Sequence, residues 1–213
     1  MKTLIINEFK AIFWDFDGVI KDSVKIKSKA YLGLFENASE EIKSKIQDHH
    51  LKFGGISRFK KIPLYMEWAG INVTKESTEE YIQKFATIVE DAVVSSPWIS
   101  GVEHLLFSKN QNQMYFVFTG TPQSEIDSIL RRLSLDKIFD GVYGAPTEKK
   151  DAIHKVLSMF NLSASDCLMI GDSETDWLAV DQTGVKFWLR SDGDDEFSRQ
   201  WSGIMLKDFK GIL

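Results

Sequence analysis

Cysteine is almost missing: the 213-residue chain has one, Cys167. No internal disulfide can form, and nothing points to an oxidising compartment. Its surroundings, DCLMIGD (166–172), read as a buried strand, so Cys167 is expected as a small core residue and not as a catalytic thiol. Excess positive charge is missing too. A formal net charge of -5 gives no general attraction to nucleic acid or acidic lipid, and neither is expected as a partner. No apolar run approaches a membrane span, and the apolar part of MKTLIINEFK (1–10) is too short for a signal peptide, so the expected location is cytoplasmic. On that footing the sequons at Asn37, Asn72 and Asn161 are coincidental. There is no internal repeat, no low-complexity tract, no Walker loop and no dinucleotide-binding glycine pattern.

What is present is an ordinary globular composition, 43% hydrophobic and 27% charged, in a chain long enough for one domain or for a core with a smaller insertion. KAIFWDFD (10–17) reads as a buried strand. The stretch from Ser23 to Val94 is long, charged and helical in period; in YIQKFATIVEDAVV (81–94) the residues Tyr81, Phe85, Ile88 and Ala92 share a stripe. Trp68 and Phe85 are expected in the core of that bundle, and His49, His50 and His154 without functional partners, the first two on the surface. Strand character returns at QMYFVFT (113–119), before a helix in TPQSEIDSILRRL (121–133) with Pro122 at its first position behind a Thr121 cap. GVYG (141–144), KKDAIHKVLSMF (149–160), DCLMIGD, a helix over 174–182 and VKFWLR (185–190) continue the alternation. SDGDDEFSRQW (191–201) is expected as a solvated loop. The pattern is α/β: a doubly wound parallel sheet made by residues 1–21 and 96–213, with a helical insertion, residues 22–95, after the first strand.

The polar motifs sit where apolar strands stop. Asp15 and Asp17 follow AIFW, Thr119 follows MYFVF, Asp172 follows CLMIG, and Lys149 begins a helix after GVYGAPTE. Ligands of open parallel sheets bind at the carboxyl ends of the strands, so these residues should converge. The carboxylates Asp15, Asp17 and Asp172, with no histidine or cysteine nearby in sequence, would hold a hard cation, and Mg²⁺ suits them. Asp15 can attack phosphorus, while Asp17 protonates the leaving alcohol and later deprotonates water. Thr119 supplies a hydroxyl, Gly120 and Thr121 supply backbone N–H groups, and Lys149 supplies fixed positive charge to a phosphate. Taken singly, each motif has a plainer reading. DFDG can end a strand in a turn, and Asp172 or Ser173 can cap a helix. A calcium loop is excluded because Trp177 and Thr183 stand where glycine and an acid are required.

Together DFDGV, VFTGT, PTEKK and GDSETD resemble the four motifs of the haloacid dehalogenase superfamily, in its phosphatase branch, in family order. The resemblance implies an Asp15 nucleophile, an Asp17 acid/base, a phosphate-binding Thr119 and Gly120, and an active-site lysine. Lys149 and Lys150 are adjacent, and Lys149, at the turn into the helix, is the better candidate. Asp172 would be a metal ligand with Asp15 and the Asp17 backbone carbonyl, and Asp176 and Ser173 would be ligands or their supports. The helical insertion is similar to the cap of phosphoglycolate phosphatase-like and β-phosphoglucomutase-like members. The lysine–proline pattern of many phosphoglycolate phosphatases is missing.

In the insertion, FGGISRFKKIP (53–63) offers Gly55 for close approach and Arg58 for a second anionic group of the substrate; Lys61 is a weaker candidate, and Lys150 is a further one in the core. The expected activity is Mg²⁺-dependent hydrolysis of a small phosphorylated metabolite, by a monomer or homodimer. A phosphosugar mutase and a non-catalytic binding protein of the same fold are the alternatives.

Overall fold

The computed structural model describes residues 5–212. Six strands, β1 (Ala11–Trp14), β2 (Met114–Pro122), β3 (Gly141–Ala145), β4 (Cys167–Gly171), β5 (Lys186–Arg190) and β6 (Ile204–Leu206), form a parallel sheet in the order β3-β2-β1-β4-β5-β6. β1 is central. Trp14 is level with Val117 of β2 and Ile170 of β4, so three strands reach the same edge together.

All four residues of β1 are buried, as a strand covered on both faces requires. Alternation splits them between two cores. Ile12 and Trp14 join Tyr115, Val117, Leu168 and Ile170, whereas Ala11 and Phe13 join Phe116, Phe118, Met169 and the expected core residue Cys167.

Four helices follow β1: α1 (Val24–Leu34), α2 (Glu40–Lys52), α3 (Arg58–Trp68) and α4 (Lys75–Ser95). A short α5 (Val102–Phe107) leads to β2, and α6 (Gln123–Arg132), α7 (Lys149–Met159), α8 (Glu174–Val180) and α9 (Glu196–Gln200) alternate with the later strands. The doubly wound α/β architecture with an early helical insertion is therefore what forms. Among the described residues no helix is long and apolar enough to cross a membrane.

Several local expectations need correction. Strand β2 runs on to Pro122 because β3 pairs beside it that far, so Pro122 is the N-cap of α6 and Thr121 caps nothing. On α4 the buried stripe is Phe85, Val89 and Val93, while Ile88 is 51% exposed. The helical period holds, but from Phe85 the buried line runs on to Val89 and Val93 and not to Ile88 and Ala92. Residues 191–201 include α9, started by the Asp195 side chain, which accepts from Ser198 N at 2.8 Å. His154 is exposed, but His50 is buried, and His49 Nδ1 lies 2.9 Å from the Tyr65 hydroxyl. Ile46 and His50, four residues apart, face inward together from α2.

Candidate active site

Asp15 is the first residue beyond β1, and its N–H continues the ladder to Ile170 O at 2.9 Å. Asp172 stands just beyond β4, Thr119 lies in β2, and Lys149 opens α7. The common strand edge brings them together: Asp15, Asp17, Thr119 and Asp172 line one narrow cavity of about 40 Å³, and the Lys149 ammonium reaches Asp15 Oδ1 at 2.6 Å.

Asp15, Asp172 and Asp176 each offer a carboxylate oxygen within 4.8 Å of the others, a group able to hold a metal ion. Asp176 is fully buried on the first turn of α8. Its Oδ2 accepts from Ser173 Oγ at 2.7 Å and from the N–H groups of Asp172 and Ser173, and its Oδ1 accepts from Lys149 Nζ. Ser173, the N-cap, thus orients Asp176, and Asp176 with Asp15 orients Lys149.

Burial disfavours the Lys149 ammonium, but Asp15 and Asp176 more than offset this and hold its pKa above the ordinary lysine value. The carboxylates show the opposite strain. Burial, opposed by Lys149 and reinforced by the charges of Asp176 and Asp17, pushes Asp15 up to about 7. Burial and the charges of Asp15 and Asp176 raise Asp172 well above the usual carboxylate range. With all three carboxylates ionised, three negative charges would face the Lys149 ammonium, and the two left over are what a divalent cation would neutralise.

Asp17 departs from expectation. Its carboxylate does not join the metal-type group but is held elsewhere: Oδ1 accepts from Ser23 Oγ at 2.6 Å, and Oδ2 accepts from Lys27 Nζ at 2.5 Å and from Thr121 Oγ1 at 3.3 Å. The place expected for Asp17 in the carboxylate group is taken by Asp176. Gly18, at φ 79°, turns the chain there, and a Cβ on it would overlap the Asp172 carboxylate. Burial raises the Asp17 pKa, but the charge and hydrogen bond of Lys27, with Ser23, prevail and lower it. Thr121 also departs: its N–H donates to Thr119 Oγ1 at 3.1 Å, so it is not a free donor for phosphate.

The opposite wall comes from α1, α3 and the loop before α3. Arg58 is buried, donates through Nη2 to Glu125 Oε1 at 2.5 Å and lies over the Phe85 ring, while its Nη1 is buried without a partner. Lys61 Nζ donates to His50 Nδ1 at 3.0 Å and to Gly54 O at 3.4 Å; burial and the nearby Lys27 charge lower its pKa to about 7. Gly55 N donates to Thr175 Oγ1 at 3.2 Å, and a Cβ on Gly120 would stand 2.7 Å from Gly55 O. Lys150 is exposed and does not line the cavity.

Sequence reasoning missed Lys27, Ser23, Glu125 and the side-chain role of Thr121. Only Lys27 carried a signal: it shares one helical face with the buried Ala30 and Tyr31, at spacings of three and four, which Lys25 and Lys29 do not.

A family model described as haloacid dehalogenase-like hydrolase matches residues 12–189. The phosphorylated carbohydrates phosphatase of Thermotoga maritima is 25% identical over 183 residues, covering 83% of this chain and 82% of that protein. The phosphoglycolate phosphatase of Colwellia psychrerythraea is 23% identical over 214 residues, covering 92% and 93%. The solved structure of a β-phosphoglucomutase from Clostridium difficile superposes with a TM-score of 0.74 at 15% identity, over 94% of this chain and 91% of that one, a likeness of fold.

Proposed function

The chain belongs to the haloacid dehalogenase-like hydrolases, and from that premise we propose that it is a magnesium-dependent phosphatase of a small phosphorylated metabolite. The observation that carries the reading is Lys149 bridging Asp15 and Asp176 beside Asp172 at one strand edge. All the donors in that group are oxygen, which fits Mg²⁺, and the charge imbalance fits two positive charges. Asp15 and Asp172, with the Asp17 backbone carbonyl, would hold the ion, and Asp176 would support it. When bound, Mg²⁺ supplies positive charge that lets an anionic phosphate approach an anionic nucleophile.

An Asp15 carboxylate oxygen attacks phosphorus, and the bond from phosphorus to the substrate oxygen breaks. Asp17, in its protonated form, gives the departing oxygen a proton. Thr119 and Lys149 bind the phosphoryl oxygens as charge moves onto them. Water then attacks phosphorus, Asp17 takes its proton, the Asp15–phosphorus bond breaks, and inorganic phosphate leaves.

Residues 22–95 act as a cap that opens and closes on linkers near residues 18–23 and 95–97. The cavity is narrow, about 40 Å³, so a substrate enters only when the cap moves. Arg58 Nη1 and Lys61 supply donors for a second anionic group: the first has no partner, and the second has no carboxylate within salt-bridge distance among the described residues. Among the described residues the cap side of the cavity brings Lys27, His50, Arg58 and Lys61 and no carboxylate, a positively charged wall that suits an anionic substrate.

A panel of sugar phosphates, phosphoglycolate and nucleotides with Mg²⁺ tests the reading. Release of inorganic phosphate is expected. Isomerised sugar phosphate without free phosphate would instead show a mutase, and no release from the panel or from p-nitrophenyl phosphate would show a non-catalytic protein.

Two further outcomes are expected. Asp15 has a folded pKa above its ordinary value, so its share of stability is present at low pH and lost as pH rises from about 4 through about 7. Mg²⁺ offsets that loss, so the gain in melting temperature over EDTA should be larger at about pH 8 than at about pH 5.5. A pH-independent gain, or none, would contradict the metal assignment. Gly120→Ala should keep loop 53–57 off the core and lower kcat/KM about 10–100-fold, at little change in melting temperature; unchanged kcat/KM would show that this close contact is not needed.

A further inference from the structure

The Asp17 carboxylate is gripped by donors from three places: Ser23 from the linker after the Gly18 turn, Lys27 from α1, and Thr121 from the end of β2. Lys27 Nζ also donates to Thr121 Oγ1 at 2.9 Å, so ammonium, hydroxyl and carboxylate form a closed triangle. Both charged side chains are largely buried, at 11% and 18% exposure. A buried ion pair adds little net stability compared with apolar side chains of the same volume; here the three donors leave the Asp17 carboxylate one orientation. Lys27 is carried by the helical insertion and Asp17 by the core, so the grip exists only while the two are together.

We propose that Lys27 is a positioning residue for the second half-reaction. It holds the Asp17 carboxylate in the orientation that receives the proton of the attacking water, and so makes hydrolysis of phospho-Asp15 depend on the closed arrangement. In that step the water oxygen bonds phosphorus, its proton moves to Asp17, and the phosphorus–Asp15 bond breaks with its electron pair returning to the Asp15 carboxylate. The inference rests on the phosphatase reading above.

The test uses the full chain with Mg²⁺ and p-nitrophenyl phosphate, whose leaving group needs no proton. Lys27→Met keeps the length of the side chain and removes its charge. Its kcat should fall about 10–100-fold, less than the roughly 10²–10⁴-fold that the base itself contributes. Its kcat/KM, which ends with formation of phospho-Asp15, should stay within about threefold. A burst of p-nitrophenol equal to the enzyme, and an alkali-labile phosphoryl group in acid-quenched protein, should appear. Ser23→Ala and Thr121→Val should shift the same ratio in the same direction by less, and they carry the test if Lys27→Met does not fold. Equal falls in kcat and kcat/KM without a burst, or unchanged kinetics in all three variants, would overturn the proposal. Asp17→Asn separates the two levels. If it accumulates phosphoenzyme and the other variants do not, only the role of Lys27 falls; if it does not, the assignment of Asp17 falls as well.

Discussion

Replacing Asp15 with asparagine is expected to lower turnover by on the order of 10⁴-fold or more while the protein stays folded. Asparagine has nearly the same shape, so the ladder from residue 15 to Ile170 O is undisturbed. What it lacks is an anionic oxygen able to bond phosphorus. The stability side of the prediction follows from electrostatics. Asp15 titrates near 7 because its ionised form is disfavoured by burial, so removing that charge takes away a repulsion as well as a partner of Lys149. Lys149 keeps Asp176. The melting temperature should therefore change by only about a few degrees. Steady-state phosphate release and a thermal melt check both halves. Retained activity would remove Asp15 from the chemistry, and an unfolded variant would leave the tighter comparison to Asp15→Glu, which keeps the charge but displaces it and should also be inactive.

Lys149→Met is expected to have the largest effect on stability, because it removes the one ammonium held between Asp15 and Asp176. Breaking a buried pair by deleting one partner costs about 3–5 kcal/mol. Asp15 and Asp172 already titrate high with Lys149 present, so without it the carboxyl group takes protons more readily. The loss in metal-free protein should then be large at about pH 8 and smaller at about pH 5.5, where protonation relieves the repulsion, and Mg²⁺ should restore part of it at the higher pH. Turnover should fall about 10²–10³-fold, the size seen when a donor to transition-state charge is removed. Lys150→Met is the control: its ammonium is exposed, and both stability and turnover should stay close to those of the parent. Urea melts at the two pH values and phosphate release distinguish the pair of variants. Identical behaviour of the two would contradict the placement of Lys149.

The catalytic edge was legible from sequence for a topological reason. Apolar runs ending in Asp15, Thr119 and Asp172 are parallel strands, and parallel strands deliver their ends to one side whatever lies between them. Lys149 was separable from Lys150 only as the residue at the turn; the helix then sends the two side chains about 100° apart, one to Asp15 and one to solvent. The direction of the Asp17 carboxylate was not legible, because it is set by a lysine one helix further on and by a threonine at the end of the neighbouring strand. Arg58 was visible as a candidate, but its partner Glu125 lies 67 residues away on α6 and no local pattern links them. His50 reads as charged-helix surface until Lys61 and Tyr31 are packed against it. On α4, Ile88 and Val89 are both apolar neighbours, and the faces of α1, α3 and α6 decide which of them turns inward.

The most direct test is to trap the protein during turnover. After rapid acid quenching of the Mg²⁺-loaded chain with a phosphomonoester it cleaves, peptide mapping should find one phosphoryl group on Asp15, lost on brief alkaline treatment and never formed by Asp15→Asn. A phosphoryl group on any other residue, or steady phosphate release with no phosphorylated peptide at any quench time, would contradict it.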